Sequence, residues 1–203
     1  MFTEAIIFFH NKQTMNLIIA INDNDYSLAQ DAIAHGANIN YSNKNIIMPI
    51  YAMNIAHILY NDDFKICYLL VDSGVNVNVK DTYNCSLLYG AVLYGDIRLI
   101  RYLYIAGLNP FDCDNKLKKS PMDIALLNQF YDAIIIMIEH LKPDIKQIYL
   151  NYILLKYIES KNLGGINYVI GLGADARKPF FNGKSVYDIV SVNVDLRDML
   201  QYV

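Results

Sequence analysis

Four histidines, three cysteines and two close pairs of aspartates are the residues whose chemistry could be catalytic, and their spacing argues that it is not. His10, His35, His57 and His140 are scattered, with no H-x-x-x-H or Cys–His ligand spacing, so they read as solvated or capping residues and not as a metal site. Cys67, Cys85 and Cys113 form no C-x-x-C pair. Cys85 could be an exposed thiol, but no base accompanies it to make it a nucleophile. Asp23 with Asp25, and Asp62 with Asp63, fall where helices break, and turns favour Asp for bonding its own backbone. Gly164-Gly165 and Gly171-x-Gly173 lack the strand-turn-helix setting of a phosphate loop. The expectation is a chain that is no enzyme and holds no cofactor and no metal.

The elements that carry these residues are apolar and only lightly charged. The 203 residues are 54% hydrophobic, 12% aromatic and 18% charged, with a formal net charge of −3 and no run of five or six like charges. Nucleic acid is disfavoured as a partner, because phosphate binding needs a concentrated basic face. An odd number of cysteines without a secretory pattern suits a reducing compartment. The longest apolar runs, such as Ala133 to Ile138, fall far short of the roughly 20 residues that cross a bilayer. Phe2 to Phe9 lacks the basic start and cleavage site of a signal peptide. A cytoplasmic location, with no membrane association, is expected.

A repeated glycine sets the register. His35-Gly36-Ala37-Asn38-Ile39-Asn40 returns as Ser73-Gly74-Val75-Asn76-Val77-Asn78, as Ala106-Gly107-Leu108-Asn109 and as Leu172-Gly173-Ala174-Asp175-Ala176. The glycines are 38, 33 and 66 residues apart, so one repeat of a 33-residue period has lost its glycine, with its slot at Leu141. Each glycine is expected just past a helix end, where the left-handed backbone suits glycine.

In order, the reading is a short cap helix over 1–12, repeats over 13–40, 41–78, 79–111, 112–143 and 144–177, and a capping repeat over 178–203, all in one domain 1–203. The five extra residues between Gly36 and Gly74 fall between Ala52 and Asp63 and predict a longer first helix in the second repeat. Ser120-Pro121-Met122-Asp123 and Ser185-Val186-Tyr187-Asp188 are S-x-x-D capping boxes at helix starts. Lys142-Pro143 is expected to end the second helix of the fourth repeat. In the fifth repeat the first helix is expected over Tyr152 to Ile158, and Gly164-Gly165 should weaken the second by about 1 kcal/mol each.

The period, the G-A-N-I-N ends and Ser120-Pro121-Met122-Asp123-Ile124-Ala125 make the chain resemble ankyrin-repeat proteins over about residues 13 to 200. The third repeat, Asp81 to Gly95, follows the ankyrin consensus in spacing, with Ser86 at its Thr position and Asn84 at its first Gly. The implied fold is all-α, an ankyrin-repeat solenoid of about five repeats plus terminal caps. Abundant Ile, Asn and Tyr without Trp look like an AT-rich genome and give a resemblance to short poxvirus ankyrin proteins of host-range or immune-modulator type, and less closely to those of giant viruses and intracellular bacteria. Many poxvirus members carry a C-terminal F-box-like segment that recruits a ubiquitin ligase, for which Val203 is expected to leave no room.

The resemblance also implies where a partner binds, on a concave face of loop tips and first helices. Carried over by register, the positions are Lys44, Asn45 and Ile47; Thr82, Tyr83, Cys85, Leu93 and Tyr94; Lys116, Leu117, Lys119 and Leu127. Ala52, Gly90, Ile124, Asn128, Phe181, Asn182 and Lys184 share that register. Several are apolar or aromatic where solvent favours polar residues, which suits an interface, although some could instead fill gaps between repeats. Lys44, Lys116 and Lys119 would steer an acidic partner. The expected function is a non-enzymatic viral effector, monomeric rather than homo-oligomeric, that binds a host protein in the host cytoplasm. The alternative is a structural, self-assembling protein or an adaptor whose ends pair with another copy or chain.

Overall fold

A computed structural model describes residues 2–202 except 44, 62, 114, 115 and 181; for 2–11 and 200 it describes the backbone alone. The chain is all-α, built from helix pairs of ankyrin type. It divides into two compact units, one up to Ala133 and one from Ile134. Among the described residues, no helix is long and apolar enough to cross a membrane.

The first unit pairs α1 (Phe2–Asp23) with α2 (Tyr26–Ala34), α3 (Met48–Leu59) with α4 (Lys65–Asp72), and α5 (Leu87–Tyr94) with α6 (Ile97–Ile105). It then adds α7 (Pro121–Leu127). The first helices of the pairs stack in sequence, α1 on α3, α3 on α5 and α5 on α7, and so do α2, α4 and α6. Leu17, Met48, Leu88, Ile100 and Met122 are fully buried in the core. The division between the units falls inside α8 (Tyr131–Met137). In the second unit α9 (Pro143–Glu159) packs on α10 (Leu163–Gly171) and on α11 (Val186–Ser191), and a 3-10 helix, Arg197–Tyr202, closes against α11 and α10.

Local chemistry explains the boundaries. Asp25, Ser86 and Asp96 accept main-chain N–H bonds at the starts of α2, α5 and α6, and Ser120 and Ser185 form complete capping boxes with Asp123 and Asp188. Gly36, Gly74, Gly107 and Gly173 have φ of 88°, 81°, 93° and 101°, as their spacing predicts. Asn84 stands at the consensus glycine with φ 63°, a conformation Asn tolerates. The longer helix expected in the second repeat is present, α3 having 12 residues against 8 in α5 and 7 in α7.

Three expectations need correction. One continuous helix runs from Phe2 to Asp23, so no boundary separates a cap helix ending at 12 from the first repeat. Pro143 terminates nothing: α8 has already ended at Met137, and the proline is the first residue of α9, where its missing N–H would have no helical partner anyway. α9 therefore begins well before the predicted Tyr152.

Candidate partner-binding surface

The surface is built from two loop fingers and the helix starts that follow them. In the first, Asn43 Oδ1 accepts the main-chain N–H groups of Asn45 and Ile46 at 2.8 Å, and a two-residue bridge pairs Ser42 with Ile47. In the second, Asp81 Oδ1 accepts from the N–H of Tyr83 at 2.9 Å and of Cys85 at 2.7 Å, and Lys80 pairs with Ser86. Such side chain to backbone bonds fix tight turns, because they replace the partners a helix or sheet would supply.

Between these fingers lies an open hollow of about 230 Å3. Its lining includes Asn45, Ile47, Thr82 and Tyr83, four positions expected from the sequence, together with Ile50, Tyr51, Asn54 and Asp81, which were not. Tyr83 is 57% exposed, large for an aromatic ring. The next finger fastens it in place: Lys116 donates its main-chain N–H to the Tyr83 carbonyl at 2.9 Å and its ammonium to the Thr82 carbonyl at 2.7 Å. The same ammonium stands 5.6 Å from the centre of the Tyr83 ring.

The remaining expected positions separate. Leu93, Leu117, Lys119 and Leu127 are exposed but line no part of the hollow; Leu127 is 61% exposed. Lys44 and Phe181 lie outside the described residues. Cys85 is a correction, only 6% exposed, because the turn over Asp81 folds it beneath the finger. Burial and the neighbouring Asp81 raise its thiol pKa, with Lys80 opposing, so it is no exposed nucleophile. Tyr94 is half-buried beside the hollow and does not itself line it. Its ring stacks on His57 at 4.0 Å with 16° between planes, and its hydroxyl donates to Asn54 Oδ1 at 2.9 Å. Ala52, Gly90 and Ile124 are buried as well. A Cβ on Gly90 would meet Met53 Cε at 2.2 Å, so glycine there admits its neighbour and offers nothing to a ligand.

A larger hollow, about 580 Å3, lies against α2, α4 and α6, lined in part by Tyr26, Lys65, Tyr68 and Arg98. Part of its lining is engaged: Lys65 pairs with Asp63 at 3.0 Å, the Arg98 guanidinium lies 4.5 Å from the Tyr68 ring centre, and the Tyr68 hydroxyl donates to Asp96. Among the described residues no three His, Cys, Asp or Glu side chains gather as a metal site would require.

No family model matches the sequence. Over 113 residues, 55% of this chain and 70% of the relative, it is 26% identical to an Acanthamoeba polyphaga mimivirus protein named as an ankyrin repeat protein. That finding lends the poxvirus resemblance no support, and it agrees with the helix pairs, caps and left-handed glycines described above. The chain is similar, at this distance, to a viral ankyrin repeat protein.

Proposed function

We propose that this chain is a non-catalytic protein-binding module, a viral effector that engages a host protein in the host cytoplasm through the finger face of its first unit. The observation that carries the reading is that Asn45, Ile47, Thr82 and Tyr83, drawn from two repeats, line one open hollow with an exposed aromatic at its edge. Aromatic anchors beside a depression are where binding energy concentrates, and the main chain that carries Tyr83 is fixed by its bond from Lys116. The relative is a viral ankyrin repeat protein, which supports the viral and protein-binding parts of the reading. The test is affinity purification from host cells with wild type and with a folded Asn45→Ala, Tyr83→Ala variant. Host proteins retained by the wild type and lost by the variant support the assignment; an unchanged set removes it.

Self-assembly has one observation in its favour: Val192 and Val194 in the second unit are 78% and 77% exposed. A strict monomer by sedimentation at micromolar concentration sinks that alternative.

A further inference from the structure

We infer that Asn22 and Lys116, neither of which lines the hollow, are its positioning residues: each reaches in from a neighbouring helix pair and holds one of the two tyrosines, Tyr51 and Tyr83, that line it. The inference rests on the partner face proposed above and adds the residues outside that face on which its shape depends.

Tyr51 stands in α3, and its hydroxyl donates to Asn22 Oδ1 near the end of α1 at 2.7 Å. That acceptor is itself fixed. Asn22 Nδ2 donates to the Ile18 carbonyl one turn back at 2.8 Å, so both ends of the carboxamide are engaged and its oxygen stays towards Tyr51. The Tyr60 hydroxyl donates to the Asn22 main-chain carbonyl and ties the end of α1 to the end of α3. Tyr51 is therefore held at its Cα by one helix and at its hydroxyl by another. A side chain ordered in advance loses less freedom when a partner binds.

Tyr83 is braced from the helix pair that follows. The Lys116 main-chain N–H donates to the Tyr83 carbonyl at 2.9 Å, and its ammonium donates to the Thr82 carbonyl at 2.7 Å. At the base of the same finger Asp112 pairs with Lys80 at 2.9 Å, so the two fingers are joined at two points. Only the ammonium bond at the tip belongs to a side chain, and a charged donor makes the stronger kind of hydrogen bond. The two tyrosines come from adjacent helix pairs, and the residues that hold them come from the pair before and the pair after. A partner face of two repeats thus needs four to shape it.

The probe is the strongest peptide that the full chain selects from a phage-displayed random library, read by fluorescence polarisation. Asn22→Ala removes the acceptor, and Tyr51→Phe removes the hydroxyl but keeps the ring. Each should weaken binding about fivefold, one hydrogen bond's worth, and the double variant should be no weaker than Asn22→Ala alone. Lys116→Met keeps the stem and loses the ammonium, with an expected loss of about five- to tenfold, while Lys116→Arg should bind as the wild type does. Asn22→Ala and Lys116→Met hold different tyrosines, so their losses should multiply. Binding is measured where melting curves show each variant folded, which separates positioning from stability; should Asn22→Ala not fold, Tyr51→Phe tests the same bond from its other end. A peptide indifferent to these changes, multiplying losses for Asn22→Ala and Tyr51→Phe, or an arginine at 116 that binds no better than methionine overturns the inference. If that peptide is still lost by Tyr83→Ala, the groove reading stands without it. No selected peptide, or one indifferent to Tyr83→Ala, overturns that reading and this inference together.

Discussion

Cys113 is the exposed member of three thiols that the sequence presents as equals. Burial raises the pKa of both Cys67 and Cys85, and the acids nearby, Asp96 for the first and Asp81 for the second, add to it. A raised thiol pKa means less thiolate at a given pH, and the thiolate is the reacting species. At pH 8 iodoacetamide should therefore label Cys113 fast and leave the other two unmodified until denaturant is added, read by intact mass and peptide mapping. Labelling of Cys85 in the native protein contradicts the buried finger. Asn151 is a second residue whose importance only the structure shows. It is fully buried in α9, donates Nδ2 to the carbonyls of Asp175 at 2.8 Å and Lys178 at 3.2 Å, and accepts from the Asp175 N–H at 3.0 Å. Asn151→Ala removes the partner of the half-buried Asp175 main-chain groups and of the Lys178 carbonyl, at about 1–3 kcal/mol in all because water can reach part of that edge. Chemical denaturation should show a loss at the upper part of that range, and a loss under about 0.5 kcal/mol, the size of an ordinary surface substitution, counts against this role. A lone Asn in an apolar helix gives no pattern to read, since its partners lie 24 and 27 residues downstream.

Helices separate what is written locally from what is not. The glycines after helix ends and the two S-x-x-D boxes were legible because each is a bargain among residues within one turn. The start of α9 was marked by Pro143 but read as a stop, because a proline ends one helix and opens another with the same residue, and no residue between α1's ends marks or denies a break at 12. The paired glycines of α10 show why composition alone misleads. Helix propensity favours replacing both with alanine, yet a Cβ on Gly165 would sit 2.6 Å from the Tyr157 ring, while one on Gly164 meets nothing nearer than Asn162 Oδ1 at 3.6 Å. Gly164→Ala should raise stability by up to about 1 kcal/mol, and Gly165→Ala should lower it by about 1–3 kcal/mol through overpacking. Two melting curves decide it; gains at both positions would show that Tyr157 yields easily. The Ser185 capping box also sets a pH dependence. Hydrogen bonds from the Ser185 main chain and hydroxyl hold the Asp188 pKa below its ordinary value of 3.8. A depressed folded pKa contributes stability that is present above the unfolded value and disappears as pH falls through the folded one. The melting temperature should fall on acidification below about pH 4, and Asp188→Asn should flatten that limb of the curve.

At the scale of the molecule, the hollow was only partly legible, and for a reason specific to repeats. Register carries a loop position such as Asn45 or Tyr83 faithfully, because each finger is fixed by its own turn. Register cannot foresee that the extra turn of α3 brings His57 onto the Tyr94 ring, while the Tyr94 hydroxyl bonds Asn54 at the hollow. Net charge is the other property that no single residue shows. The whole chain carries −3, while the finger from Asp112 to Lys119 carries three lysines against two aspartates, so an acidic ligand meets a small positive excess close in and repulsion far out. Screening separates the two by distance. At 0.01 M salt the Debye length is about 30 Å and the net charge acts over the whole approach; at 0.1 M it is about 10 Å and only the tip is felt. The association rate of an acidic peptide should therefore stay level or rise as salt goes from about 0.01 to 0.1 M, and fall only beyond that, when contacts within the tip are screened in turn. Stopped-flow measurements across that range read the effect directly. A steep monotonic fall from the lowest salt would mean that the lysine tip dominates the field at every distance. Replacing Lys118 and Lys119 with glutamine takes the formal net charge from −3 to −5, so the fall at high salt should disappear and the rise at low salt should steepen, both read from one pair of curves.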